Sequence, residues 1–226
     1  MIPRKLLDSA RTPDKSGELQ LYRRGDDYFI SFDGKELMNS RMHGSESVLA
    51  ELACRPIAGR IKARVLVGGL GMGYTLAAAL SILQHDARVI VAELVPAVVQ
   101  WNRSLIGGLA GHPLNDSRVD VQEHDVCILL KNEQAGFDAV MLDVDNSPAS
   151  MTQKSNDWLY TDTGLSVIYM ALRPGGVLTV WSAGPESGFS HRLRTAGFAV
   201  QKKTVSARGS GKGGRHTIWV AARPKQ

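Results

Sequence analysis

Cysteine is scarce in this sequence. Its 226 residues include only Cys54 and Cys127, which are far apart and form no Cys-x-x-Cys pair. Structural zinc sites and disulfide frameworks need several closely spaced cysteines, so neither is expected. No metal site is predicted from histidine either, because His85, His112 and His191 lack the spacing of metal ligands. This cysteine usage suits a reducing compartment, and the predicted location is cytoplasmic.

Uninterrupted apolar runs are also missing. The stretch Val65–His85 has no charged residue, but four glycines in its first half would weaken a membrane-spanning helix. The amino terminus becomes polar again before an apolar stretch of signal-peptide length can develop. We therefore expect neither export nor membrane insertion.

Acidic residues are absent from one end of the chain. Residues 202–226 contain Lys and Arg but no Asp or Glu, whereas the whole chain has a net charge of +5. Such a basic cluster could contact phosphates, but a run of charges is more often a solvated loop. Nucleic acid is therefore not expected among the partners.

Apolar residues at 43% and charged residues at 22% are typical of a globular protein. Two polar turns separate short alternating segments from Glu18 to Met38, which predicts an antiparallel hairpin or meander. A helix with Ser45 as its N-cap is predicted over Ser45–Ala53. The predicted organisation is a small β-rich segment with a linking helix over residues 1–58, followed by a larger domain over residues 59–226.

After residue 60, apolar strands alternate with helical stretches, which is typical of a parallel sheet covered on both faces. The predicted fold class is α/β, with a Rossmann-like sheet that ends in an antiparallel hairpin. Helices are predicted over Gly73–Leu83, Pro96–Leu105, Val126–Lys131, Asp162–Leu172 and Gly188–Ala196. Strands are predicted over Arg64–Gly68, Ala87–Glu93, Arg118–Gln122, Phe137–Asp143, Val177–Ser182, Phe198–Ser206 and His216–Ala222.

The sharpest local motif is a glycine turn between the first of these strands and its helix. The turn contains Gly69, Gly71 and Gly73. Glycine allows a tight turn and lets the backbone approach a ligand without a blocking Cβ, which indicates a nucleotide-type ligand. Close helix packing also selects glycine, and this alternative stays open.

Carboxylates follow the next two strands. Glu93 ends the second strand, beside the glycine turn, where its carboxylate could accept hydrogen bonds from a ribose diol. Asp125 follows the third strand and could accept a hydrogen bond from the exocyclic amine of adenine. The structural alternatives are a surface glutamate that opens a helix for Glu93 and a helix N-cap for Asp125.

A further pair of acids follows the fourth strand. Asp143 lies at the carboxyl end of a central strand, which in open α/β sheets points into the ligand-binding crevice, and Asp145 is close by. Two such acids could hold a cationic amine and take its proton if burial raises one pKa. The alternative is an Asx-type turn ahead of Pro148.

Together these residues resemble the class I S-adenosylmethionine-dependent transferases, and within them the spermidine synthase branch. The resemblance rests on the β-rich amino-terminal piece with Phe32-Asp33-Gly34, the glycine turn, and the acids just described. It also includes a segment with His43 and Glu46 that leads into a helix. It implies a seven-stranded methyltransferase-type sheet, a homodimer, and S-adenosylmethionine or its decarboxylated form as cofactor.

The resemblance also implies roles for individual residues. The glycine turn would hold the methionine-derived part of the cofactor, Glu93 the ribose and Asp125 the adenine, while Asp143 would be catalytic together with Asp145. Residues 150–162 would form a lid. Substrate contacts are assigned to His43, Glu46, Asn146, Trp158 and Tyr160.

Three departures from the family pattern are visible. The family's Asp in the glycine turn is replaced by Leu70 or Met72, and its second acid by Asn146, with Asp145 one place early. The family's Tyr-His-Glu motif lacks its tyrosine here.

The leading hypothesis is aminopropyl transfer to an amine or other small nucleophilic acceptor. Methyl transfer and a non-catalytic nucleoside-binding module stay open as alternatives.

Overall fold

The computed structural model describes residues 2–13, 15, 17–144, 154–184, 186–208 and 214–225, and the side chains of all of these except 154–156. Within these residues the chain forms one small and one large β-sheet, with helices packed on the large sheet. None of the helices in these ranges combines the length and the apolar character needed to cross a lipid bilayer.

The small amino-terminal sheet has four antiparallel strands in the order β1-β2-β3-β4. Three of them correspond to the predicted meander, and Asp33 and Gly34 both have the positive φ angles that a tight hairpin turn requires. The first strand was not predicted, because it is mostly exposed and a register shift between Leu6 and Asp8 breaks its alternation. The strands are β1 (Lys5–Arg11), β2 (Glu18–Arg24), β3 (Asp27–Phe32) and β4 (Lys35–Asn39).

The large sheet has seven strands in the order β10-β11-β9-β8-β5-β6-β7. Strands β9, β8, β5, β6 and β7 pair with one another in parallel. Strands β11 and β10 extend the sheet beyond β9, and each of them pairs antiparallel. This confirms the predicted α/β class with a seven-stranded sheet and a small amino-terminal β-sheet. The strands are β5 (Arg64–Gly68), β6 (Arg88–Ala92), β7 (Val119–Gln122), β8 (Phe137–Leu142), β9 (Leu172–Ser182), β10 (Ala199–Ser206) and β11 (Arg215–Ala222).

Helices cover both faces of this sheet. Central strands are buried on both sides, so Val65 and Val67 pack into one apolar cluster while Leu66, which points the other way, packs into a second. Six α-helices occur in the described part of the chain, each within a few residues of its predicted range. They are α1 (Gly44–Cys54), α2 (Tyr74–Ile82), α3 (Pro96–Ser104), α4 (Val126–Lys131), α5 (Asp162–Ala171) and α6 (Phe189–Thr195).

Two local predictions were wrong. The N-cap of α1 is His43 rather than Ser45, which lies in the first turn, fully buried, and donates a hydrogen bond to Glu46. Strand β9 begins at Leu172 rather than Val177. It continues through the Pro-Gly-Gly segment because Gly175 and Gly176 exchange backbone hydrogen bonds with Arg223 after β11.

The amino-terminal sheet is attached to the rest of the fold by polar and apolar contacts. The indole N–H of Trp101 in α3 donates to the carboxylate of Asp8 in β1 at 2.7 Å, and Trp101 is 1% exposed. Leu21 and Ile30 of the small sheet belong to the same apolar cluster as the α2 and α3 side chains. These contacts hold the small sheet over the carboxyl ends of the central strands.

At the other end of the central strands, opposite the small sheet, Asp138 joins the amino ends of three strands. Its carboxylate accepts hydrogen bonds from the guanidinium groups of Arg60 and Arg173 and from the backbone N–H of Arg64. The Asp138 side chain is 2% exposed. A buried carboxylate is tolerated when several donors compensate its lost hydration, as they do here. Asp138 is therefore a structural residue, far from the ligand-binding edge.

We expect Asp138→Asn to lower the free energy of unfolding by about 3 kcal/mol, because the substitution leaves two guanidinium groups without their carboxylate. Asp120→Asn is the matched control, since Asp120 pairs with the largely exposed Arg88 and should cost at most about 0.5 kcal/mol. Denaturant unfolding followed by circular dichroism gives both values. Equal losses in the two variants would contradict the structural role of Asp138.

Candidate active site

A cleft lies at the carboxyl ends of β5, β6, β7 and β8, under the amino-terminal sheet. This is the edge at which open α/β sheets bind ligands. The small sheet contributes an apolar wall, and the turns after the large-sheet strands contribute glycine and acidic residues. The lining of the cleft includes Leu19, Ile30, Phe32, Leu37, Met38, Gly69, Gly71, Glu93, Val95, Val98, His124, Asp125, Val126, Asp143 and Val144.

The glycine turn follows β5 directly, and its three glycines all have positive φ angles. At Gly69 a Cβ would lie 2.5 Å from the carbonyl oxygen of Asp143, so any other residue would collide with the backbone after β8. At Gly71 a Cβ would lie 2.7 Å from the terminal methyl of Met38. Gly69 and Gly71 line the cleft, and Met38 of β4 closes over the turn.

Gly73 has a different environment. A Cβ there would meet Asn102, Pro113 and Ala110, which lie in and after α3, rather than open cleft space. Gly69 and Gly71 therefore approach the cleft, whereas Gly73 allows α2 to start close to neighbouring elements. Close packing, the structural alternative for this motif, accounts for Gly73.

Glu93 follows β6 and is 8% exposed, so it is not a surface glutamate. Its two carboxylate oxygens accept the backbone N–H groups of Leu70 and Val95, each at 2.9 Å. Burial raises the pKa of Glu93, and backbone hydrogen bonds oppose that rise. A carboxylate has about four acceptor positions, so Glu93 can fix the glycine turn and still accept hydrogen bonds from a ligand.

Asp143 follows β8 and faces the cleft. Its Oδ2 accepts a hydrogen bond from Oγ1 of Thr75 at 2.6 Å. Burial raises the pKa of Asp143 to about 6, while the hydrogen bond from Thr75 lowers it. A carboxyl group of this kind is ionised at neutral pH yet basic enough to accept a proton from a bound group.

Asp125 is a helix N-cap, which is the structural alternative for this residue, and it also lines the cleft. Its Oδ1 accepts the backbone N–H of Cys127 at 2.8 Å, which makes it the N-cap of α4. The same side chain is part of the cleft lining beside Val126. The cap orients the carboxylate and is compatible with a ligand contact.

A model of the spermine/spermidine synthase domain matches residues 57–192, more than half of the chain. The chain belongs to the spermine/spermidine synthase family. Family membership makes it a transferase with an aminopropyltransferase-like function. The matched range begins shortly after α1, ends within α6, and contains every large-sheet residue of the cleft.

Solved spermidine synthases share the fold along nearly the whole chain. The enzyme from Thermotoga maritima gives a TM-score of 0.78 at 16% identity, over 98% of this chain and 74% of the other. A spermidine synthase in complex with the transition-state analogue AdoDATO gives 0.77 at 16% identity, over 98% and 73%. A probable spermidine synthase from Corynebacterium glutamicum ATCC 13032 gives 0.66 at 14% identity, over 95% and 79%. No curated protein sequence matches the chain.

Within the spermine/spermidine synthase family, this chain differs at the glycine turn. Leu70 and Met72, which occupy the region of the family's acidic residue, are 4% and 1% exposed and pack in the apolar core. Neither side chain therefore takes the place of the missing carboxylate in the cleft. The side chain that faces Gly71 is Met38, which is apolar.

His43 and Glu46 lie beside the cleft rather than in its described lining. The ring of His43 stacks on Tyr74 with 4.1 Å between ring centroids. Glu46 accepts a hydrogen bond from Ser45, whose Oγ is 2.9 Å from Nδ1 of His216 in β11. Both residues thus occupy the side of the site where α1, α2 and the carboxy-terminal hairpin meet.

The predicted lid lies only partly within the described residues. Asp145 and Asn146 fall outside them. Trp158 and Tyr160 belong to a short 3₁₀ helix, Lys154–Tyr160. The Lys131 ammonium lies 4.3 Å from the Trp158 ring centroid, and Tyr160, 5% exposed, contacts Phe189 edge-on. In the described structure, neither aromatic side chain lines the cleft.

Thr75 and Met38 were missed by sequence reasoning. Thr75 could have been found from topology, because the helix after the glycine turn begins beside the neighbouring strand β8, whose carboxyl end carries Asp143. Met38 gave no such signal. Its position over the turn depends on how the small sheet packs on the large one.

Proposed function

We propose that this enzyme transfers an aminopropyl group from decarboxylated S-adenosylmethionine to an amine acceptor. The observation that carries this proposal is the charge of the cleft. Its lining contains the carboxylates of Glu93, Asp125 and Asp143, and none of its described residues is Lys or Arg. Such a cleft favours a ligand with several positive charges.

The adenosyl part of the donor suits the cleft floor. Glu93 would accept hydrogen bonds from the ribose hydroxyls, and Asp125 would accept one from the adenine amine. The apolar side chains Val95 and Val126 would flank the purine ring, with the backbone at Gly69 and Gly71 next to the sulfonium end. These roles agree with the family resemblance and with the position of each residue in the lining.

The charge of the lining discriminates between the two forms of the donor. Intact S-adenosylmethionine has a carboxylate on its tail, which would find acidic groups and no Lys or Arg among the described lining residues. Like charges about 4 Å apart repel by about 1 to 4 kcal/mol, depending on the local dielectric. The decarboxylated tail ends in an ammonium group, which the same cleft attracts. Met38 supplies an apolar contact for its methylene chain.

The proposed chemistry is an in-line displacement at a carbon bonded to the sulfonium. The acceptor arrives as an ammonium ion, and the carboxylate of Asp143 takes one proton from it. The amine nitrogen then forms a bond to the tail carbon as the carbon–sulfur bond breaks. The electron pair of that bond stays on sulfur, which leaves neutral methylthioadenosine, and the positive charge passes to the new secondary ammonium.

The acceptor would enter from the side where α1 and α2 meet, with contacts from His43, Glu46 and Asn146. Trp158 and Tyr160, which do not reach the described cleft lining, would belong to the segment that covers the site, and Asp145 would assist Asp143. We extend the proposal to a homodimer in the cytoplasm, on the basis of the family resemblance. The cytoplasmic location agrees with the two free, buried cysteines.

Calorimetric titration tests the donor preference. We expect decarboxylated S-adenosylmethionine to bind at least about 10-fold more tightly than the intact form, which corresponds to about 1.4 kcal/mol. Methylthioadenosine, which has no charged tail, is the control for the nucleoside part and should bind measurably. Equal or tighter binding of intact S-adenosylmethionine would overturn the proposal.

Product analysis tests the reaction itself. Enzyme supplied with the decarboxylated donor and linear diamines should release methylthioadenosine and an aminopropylated amine in equal amounts, as detected by mass spectrometry. Enzyme supplied with intact S-adenosylmethionine should give no methylated amine. Methylation without aminopropyl transfer would assign the chain to a different reaction.

A further inference from the structure

The side chain of Thr75 connects the glycine-turn helix to the proposed base. Thr75 lies in the first turn of α2, is 2% exposed, and donates from Oγ1 to Oδ2 of Asp143 at 2.6 Å. That distance is typical of a hydroxyl group that donates to a charged carboxylate.

The hydroxyl of Thr75 has no helical carbonyl to donate to, because Thr75 is the second residue of α2 and the residue four positions earlier, Gly71, lies in the glycine turn before the helix. The carbonyl oxygen of Gly71 accepts the side-chain amide of Asn102 at 2.8 Å. Asn102 itself is 2% exposed and also donates to the carbonyl of Val98, so α3 holds it in place.

The hydrogen bond from Thr75 gives the two carboxylate oxygens of Asp143 different roles. Threonine is branched at Cβ, so its side chain has few rotamers and its hydroxyl has a defined direction. We infer that Thr75 is a positioning residue, which holds Oδ2 of Asp143 so that Oδ1 takes the proton of the acceptor amine. This inference rests on the proposed function of Asp143 as the base.

A second consequence concerns ionisation. The hydrogen bond from Thr75 stabilises the carboxylate form of Asp143 and opposes the rise in pKa that burial causes. The other titratable groups in the described cleft lining are Glu93, His124 and Asp125, and Glu46 lies next to Tyr74 at the start of α2. A change at Thr75 leaves all four in place, so a shifted pH profile would report on Asp143.

The test compares Thr75→Val, which removes the donor at nearly constant volume, with Thr75→Ser, which keeps it. For Thr75→Val we expect the acid limb of the kcat/KM profile to move up by about one pH unit, since a hydrogen bond to a charged group contributes that much. At pH 6.5 a rise of the Asp143 pKa from about 6 to about 7 should lower kcat about 3-fold, with the donor KM changed less than about 2-fold. Thr75→Ser should keep the wild-type acid limb.

Thr163→Val is the matched control, because Thr163 is exposed in the first turn of α5, away from the cleft. It should leave the profile unchanged. If Thr75→Val and Thr75→Ser have the same acid limb, whether at the wild-type position or displaced from it, the hydroxyl group is not responsible and the inference fails. Thermal unfolding of each variant at pH 8 identifies any general loss of structure.

A direct titration separates this inference from the proposed function. The carboxyl carbon of Asp143 can be followed by carbon-13 NMR in protein labelled at aspartate, with Asp143→Asn used for assignment. A higher pKa of Asp143 in Thr75→Val than in wild type supports the positioning role, even if no aminopropyl transfer is found with any amine. An unchanged pKa would overturn the inference, even in an active enzyme.

Discussion

Asp143→Asn should lower kcat about 1,000-fold, because the amide cannot take the proton of the acceptor ammonium and general-base catalysis contributes about that much. Donor binding should change far less, since the nucleoside is proposed to contact Glu93 and Asp125 instead. Single-turnover measurements with the decarboxylated donor separate the chemical step from binding. Asp26→Asn, which removes a fully exposed carboxylate outside the cleft, is the control for the lost charge.

The same substitution should stabilise the protein at neutral pH. The pKa of Asp143 is raised to about 6, above its ordinary value, so between these values the native state binds a proton that the unfolded state has released. Stability therefore falls as the pH rises through this window and stays lower above it. Asp143→Asn removes this effect and should gain about 2 kcal/mol at pH 8, allowing for partial solvent access.

Below about pH 4 the gain should disappear, because Asp143 is then protonated in both states. Chemical denaturation of wild type and Asp143→Asn at pH 4, 6 and 8 measures the difference directly. A variant that loses activity and is also less stable at pH 8 would indicate that Asp143 supports the structure rather than the chemistry.

Glu93→Gln should weaken binding of methylthioadenosine about 100-fold, which corresponds to about 2.7 kcal/mol. The carboxylate of Glu93 accepts the backbone N–H groups of Leu70 and Val95. In glutamine one of these oxygens becomes an NH₂ group, which cannot accept a hydrogen bond and would face a donor. The glycine turn then loses one of its anchors, and the ribose loses a charged acceptor, each worth about 1.5 to 3 kcal/mol.

Methylthioadenosine is the informative ligand for this variant because it has no sulfonium charge, so its affinity reports on the nucleoside contacts. Glu123→Gln is the matched control, since Glu123 is exposed in the turn after β7. Normal affinity of Glu93→Gln for methylthioadenosine would mean that the ribose binds elsewhere. Thermal unfolding of both variants identifies any general loss of structure.

Much of the site followed from sequence order alone. Parallel strands have their carboxyl ends at one edge of the sheet, so residues directly after β5, β6, β7 and β8 were expected to converge. The structure brings Gly69, Gly71, Glu93, Asp125 and Asp143 into the lining of a single cleft. Asp138, at the amino end of β8, lies at the opposite ends of the strands, where it joins them through arginine.

Other features depend on contacts between distant parts of the chain. Strand β1 has little apolar alternation of its own and is held by pairing with β2 and by the bond from Trp101 to Asp8. Met38 closes over Gly71 only because the small sheet packs on that edge. Serine is a common N-cap residue, yet the hydroxyl of Ser45 forms hydrogen bonds with Glu46 and His216 instead.

The amino-acid sequence by itself determined the alternation of strands and helices, the glycine turn and the edge at which its acids meet. These properties depend on local periodicity and on strand direction, which are readable along the chain. Only the tertiary structure decided which side chains meet within that edge. The bond from Thr75 to Asp143, the contact of Met38 with Gly71 and the burial that raises the pKa of Asp143 each arise between residues far apart in sequence.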